Sequence, residues 1–152
     1  MLTMNEKDKN EMLETILNEN EAYQCKLWAV IMAGADTYAL IGGLSTLTGG
    51  AAAALGALSN AYCYLGVTEQ HLNMAIVNSV NVSKIENRLS LPLSSITKAE
   101  VKGGILPGRK VVMLHFGKEK MKISLMNNAI GSDIQGQKEN VEMFCQIVSK
   151  LG

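Results

Sequence analysis

The chain has 152 residues, is 47% hydrophobic, and carries 14 basic against 14 acidic residues for a formal net charge of +0. That length suits one domain with a real core, and the zero balance excludes a molecule-wide field that would gather polyanions. The cysteines, Cys25, Cys63 and Cys145, are odd in number and have no Cys-x-x-Cys spacing. They read as free, buried thiols in a reducing, cytoplasmic setting.

Charge is nevertheless uneven. Residues 6–21 are acidic-rich, with Glu6, Asp8, Glu11, Glu14, Glu19 and Glu21 against Lys7 and Lys9. Thr3-x-x-Glu6 predicts a capping box. Met12, Leu13, Ile16 and Leu17 then recur at helical spacing. The expectation is an amphipathic helix reaching residues 18–20, docked by one face. The same residues are too charged for the apolar core of a secretion signal.

Residues 23–32, YQCKLWAVIM, are rich in β-formers and apolar on both faces, which predicts a first strand. From Leu27 to Val67 the only charge is Asp36, expected as a turn or cap residue. Within that stretch, residues 40–58 have the length of a membrane span, but Gly, Ser and Thr dilute the hydrophobicity. A nucleotide loop is excluded, since neither Gly-x-Gly-x-x-Gly nor Gly-Lys-Ser/Thr is present. A packed helix or helical hairpin fits best. Leu40, Leu44, Leu47, Ala51, Leu55 and Leu58 fall on one stripe opposite a face of small residues. These six are the candidate interface, too apolar to leave wet.

Residues 61–67 and 71–78 predict a hairpin turning at residues 68–70. Further strands are expected at 87–93, with Pro92 marking an end or an edge, at 96–102, at 110–116 and at 120–126. Val112, Leu114 and Phe116 should face Met121, Ile123 and Leu125, with Lys120, Lys122 and Ser124 outward. Residues 137–151 predict a closing helix on a stripe of Val141, Phe144, Ile147, Val148 and Leu151. The predicted fold class is therefore mainly β. It is a single seven-stranded antiparallel barrel or sandwich, closed by a C-terminal helix, with an N-terminal helix and a helical insertion at 34–60.

At this point the segments YLGVTEQHLNMAIVN, RLSLPLSSITKAEVKGGILPGRKVVMLHFGKEKMKISL and ENVEMFCQIVSKL carry a resemblance. They resemble the bacterial pleckstrin-homology-like (PH-like) domains of small cytosolic proteins, over about residues 23–151. The resemblance implies two near-orthogonal antiparallel sheets closed by the last helix. It implies no enzyme, and a scaffolding or oligomerising role. Where relatives place Arg or Lys after the first hairpin turn, this chain has His71. Its first strand offers only Lys26 and its second no basic residue, which argues against phosphoinositide headgroup recognition.

No catalytic constellation or metal-ligand cluster stands out, and no cofactor is expected. His71 and His115 read as satisfied strand histidines. Lys98, Lys110, Lys118, Lys120 and Lys122 are the candidate contacts to an anionic surface, either lipid or an acidic partner. No aromatics are interleaved with them, so nucleic acid is not an expected partner. The leading reading is a non-enzymatic interaction module that self-associates, or meets a protein partner, through residues 34–60. The alternative is a cytoplasmic peripheral membrane module using that insertion or the basic face of residues 98–122.

Overall fold

A computed structural model describes residues 3–32, 60–78, 80–103, 108–117, 119–127 and 132–151. Leu40, Leu44, Leu47, Ala51, Leu55, Leu58, Asp36 and Lys118 lie outside the described residues, and so do the expectations that rest on them. In chain order the elements are α1 (Glu6–Glu14), β1 (Cys25–Met32), β2 (Asn60–Val67), β3 (His71–Val77) and β4 (Ile85–Pro92). There follow a 3-10 turn (Leu93–Ser95), β5 (Lys98–Gly103), β6 (Arg109–Phe116), β7 (Glu119–Met126) and α2 (Gln137–Ser149).

The seven strands form one open antiparallel sheet in the order β4-β3-β2-β1-β7-β6-β5. The strand set and closing helix are those expected from the alternation of the sequence. The arrangement matches the expected barrel or sandwich, with β1 linking its two halves: β1 pairs along its whole length with β2 and only at Val30, Ile31 and Met32 with β7. Pro92 ends β4, an edge strand, where its missing N–H costs no ladder bond.

One face of every strand is apolar, and these faces meet in a single core. Cys25, Leu27, Ala29 and Ile31 of β1 join Val112, Leu114 and Phe116 of β6, Met121, Ile123 and Leu125 of β7, and Val141, Phe144 and Val148 of α2. The β6–β7 register matches Val112 with Ile123 and Leu114 with Met121. The helix stripe is as read, with Ile147 and Leu151 at its partly buried margin.

The outer face of the first half carries a second apolar layer. Met4, Met12, Leu13 and Ile16 pack over Tyr64, Ala75 and Val77, with Tyr23, Trp28 and Ile134 at the margin. This explains why β1 reads as apolar on both faces and why β3 is buried almost throughout. The N-cap is Asn5 and not Thr3. Asn5 Oδ1 accepts the Asp8 N–H at 2.9 Å, while the Asn5 N–H donates to the hydroxyl of the fully buried Tyr64, also at 2.9 Å. That anchoring fixes the start of α1 two residues later than a capping box would. The helix also stops at Glu14, short of residues 18–20. Thr15 Oγ1 bonds back to the Met12 carbonyl at 2.6 Å, and Asn20 takes a left-handed φ of 67°.

Candidate functional site

The α1 layer covers only the β1–β4 half of the outer face. Across β5, β6, β7 and the end of β1 no other described element packs over the outward side chains. Strand alternation places Lys98, Glu100 and Lys102 of β5 on this face, with Arg109, Val111, Met113 and His115 of β6. Lys120, Lys122 and Ser124 of β7 join them, as do Val30 and Met32 of β1. The face holds a groove of about 360 Å³ lined by Met32, Glu100, Lys102, Gly103, Arg109, Val111, Met113 and Lys122. Its floor is Met32, Val111 and Met113, and its walls carry three cations.

The groove's one carboxylate is engaged. His115 Nε2 lies 3.0 Å from Glu100 Oε2, and Lys98 Nζ lies 3.6 Å from Glu100 Oε1. The hydrogen bond with His115, then the Lys98 charge, holds the Glu100 carboxyl below its ordinary range. Arg109 Nε donates to Ser124 Oγ at 2.9 Å, and Ser124 is buried, not outward into water as the alternation alone predicts.

Of the five lysines singled out from sequence, Lys98, Lys120 and Lys122 share this face. Lys110 does not. It pairs with Gly103 and Leu125 on the core side of the sheet and borders a cleft with Glu142, Cys145, Gln146, Ser149 and Lys150 of α2 and its end. Arg109 and Lys102 take its place in the groove. The signal for Arg109 was available, because residues 109, 111, 113 and 115 have the parity opposite to the core positions 112, 114 and 116, whereas 110 shares it.

Each histidine has a carboxylate partner. His71 Nδ1 lies 2.8 Å from Glu21 Oε1 at the far end of the sheet, where Thr68 Oγ1 also accepts the N–H groups of Gln70 and His71 to close the β2–β3 turn. These pairings bring together residues distant in sequence, which a search for local motifs does not find. The thiols are free and buried. Burial pushes Cys25 and Cys63 up to about 12 and raises Cys145, against the Lys110 charge. Among the described residues no group of three His, Cys, Asp or Glu side chains is placed to hold a metal ion, and no helix is long and apolar enough to cross a membrane.

No protein-family model matches the chain, and no curated protein does. Among solved structures it is similar to the hSac2 domain from human phosphoinositide phosphatase Sac2, with a TM-score of 0.50 and 13% identity, over 91% of this chain and 74% of that one. At that identity the likeness speaks for the fold, which fits a PH-like arrangement of seven antiparallel strands and a closing helix.

Proposed function

We propose that this chain is a non-enzymatic interaction module of the bacterial PH-like type that works at an anionic membrane surface from the cytoplasmic side. The observation that carries the reading is the position of Met32. It is the last described residue before the charge-poor stretch at 33–59, it pairs with Asn60 on the other side of that stretch, and it also pairs with Lys122 in the groove. The root of the most apolar segment and the cationic face therefore adjoin. A surface anchor needs two signals, an apolar one and a basic one, each modest alone. A lysine or arginine near an anionic leaflet contributes about 1 kcal/mol.

Liposome flotation tests this. Flotation is expected with anionic vesicles, weakened by salt and lost in a Lys102→Glu, Lys122→Glu variant. No flotation with either anionic or neutral vesicles rejects the reading.

Self-association through Leu40, Leu44, Leu47, Ala51, Leu55 and Leu58 is the second reading. It draws support from Tyr62, which is 44% exposed close to the same root and in ring contact with Trp28. A clean monomer in sedimentation at high concentration would remove it.

A further inference from the structure

Within the face just described, Arg109 is held differently from the lysines around it. Its Nε is committed to the hydroxyl of a buried serine on the neighbouring strand, which fixes the plane of the guanidinium. Among the described residues its terminal nitrogens have no hydrogen-bond or ion-pair partner, and Lys102 and Lys122 form no ion pair. A guanidinium anchored through Nε presents two parallel N–H donors, the fork that matches two oxygens of one phosphate. Lys102 stands opposite Val111, itself opposite Ser124, and Lys122 stands opposite Met113 and Met32. The three cations thus border an apolar floor, with Arg109 half-buried and Lys102 and Lys122 exposed. Glu100 lines the same groove, hydrogen-bonded to His115 and within ion-pair reach of Lys98, and the Lys102 charge also acts on it.

We infer that Lys102, Arg109 and Lys122 form a phosphate-monoester subsite in this groove, with Arg109 the residue that separates a phosphate from other anions. For the source of the phosphate the inference rests on the membrane-surface reading. A monoester suits the site because it offers three terminal oxygens and more than one negative charge, enough for the fork and two ammonium groups together. A carboxylate or a diester offers only two such oxygens.

The test uses the full chain with two vesicle compositions matched in surface potential, one containing phosphatidic acid and one phosphatidylserine, and a soluble arm with glycerol 3-phosphate followed by amide NMR. The wild-type protein is expected to favour phosphatidic acid by about ten-fold, the effect of one charge-assisted hydrogen bond. Arg109→Lys, which keeps the charge and removes the fork, should abolish that preference and leave phosphatidylserine binding unchanged. Ser124→Ala, which frees Arg109 Nε and alters no charge, should weaken the preference in the same direction. Equal binding to the two vesicles by the wild type, or an undiminished preference in both variants, overturns the subsite and leaves the surface reading standing. If neither vesicle binds, the surface reading fails and the soluble arm decides. Shifts at Lys102, Arg109 and Lys122 would then keep the subsite, with a free phosphate ester as its ligand. Their absence overturns it.

Discussion

Gln137 gives both ends of its side-chain amide to the backbone of Trp28. Its Oε1 accepts the Trp28 N–H at 3.2 Å, and its Nε2 donates to the Trp28 carbonyl at 3.0 Å and to the Met126 carbonyl at 2.9 Å. This is where β1 and β7 have already parted, their last shared rung being Val30 with Ser124. Three positions along α2, Asn140 Oδ1 accepts the Lys26 N–H at 3.2 Å. The first turn of α2 thus supplies hydrogen bonds that a strand would otherwise make, and the sheet opens without orphaning buried backbone. Gln137→Leu should cost about 2–4 kcal/mol, since several backbone groups are left unpaired. Urea unfolding would read the loss as a lower midpoint, and an unchanged midpoint would contradict it.

Gly66 faces the ring of Tyr23. A Cβ there would sit 2.5 Å from Tyr23 Cε1, so the ring must move. The ring is tied down, because its hydroxyl donates to the Leu13 carbonyl at 2.5 Å and accepts from Asn73 Nδ2 at 3.1 Å. Gly66→Ala should therefore destabilise by about 1–3 kcal/mol. Tyr23→Phe, which leaves the space unchanged and removes only the hydroxyl, should cost about 1–2 kcal/mol. If Gly66→Ala recovers its stability in a Tyr23→Ala background, the clash is the cause. Additive losses would reject that account.

The docking of α1 should be acid-sensitive. Burial raises the Glu6 carboxyl, but the Gln135 N–H at 2.9 Å and Lys9 Nζ at 2.7 Å outweigh it, and the net shift is downward. A carboxyl lowered by folding stabilises the fold above its unfolded range, and that contribution is lost as pH falls through the folded value. The buried Lys9 would then keep only the Gln135 carbonyl at 3.3 Å. Trp28, the only tryptophan, packs against the layer that α1 covers. Its fluorescence should change as pH falls below the ordinary carboxylate range, and Glu6→Gln should flatten that change. A flat profile in the wild type would reject the link.

Glu100→Gln removes the one carboxylate of the groove and releases Lys98. Binding to anionic vesicles should tighten by about five-fold, the effect of one added positive charge near the surface. Weaker binding would mean that the His115–Glu100 pair positions the face and does not merely offset its charge.

The three thiols should be inert in the native protein. Cys25, Cys63 and Cys145 are buried and all are pushed upward in pKa by that burial. Alkylation at mildly alkaline pH should be slow until denaturant is added, after which all three should react. Rapid labelling of one thiol in the folded protein would reject this.

What could be read from sequence follows from the range of the interactions. The β2–β3 hairpin, the β6–β7 register and the stripe of α2 repeat with a local period, and they stand where the pattern placed them. The α1 layer was legible as an amphipathic helix. Its cap was not, because Asn5 is selected by the Tyr64 hydroxyl, far along the chain. The bridging by Gln137 was equally hidden, since nothing local separates it from a solvated polar residue at a helix start. On the outward face, Lys98, Lys120 and Lys122 came from counting charge, and of these only Lys122 lines the groove. Choosing Lys110 over Arg109 came from ignoring parity, by which position 110 belongs with the core residues of β6 and 109 with the outward ones.

Met32 and Asn60 stand directly opposite each other at the end of the β1–β2 ladder. Strands that meet in this way can be joined by a two-residue turn, so nothing in residues 33–59 is needed to close the hairpin. The pairing of β1 with β2 is therefore complete at that corner, and the core behind it is closed by residues of the strands and α2 alone among those described.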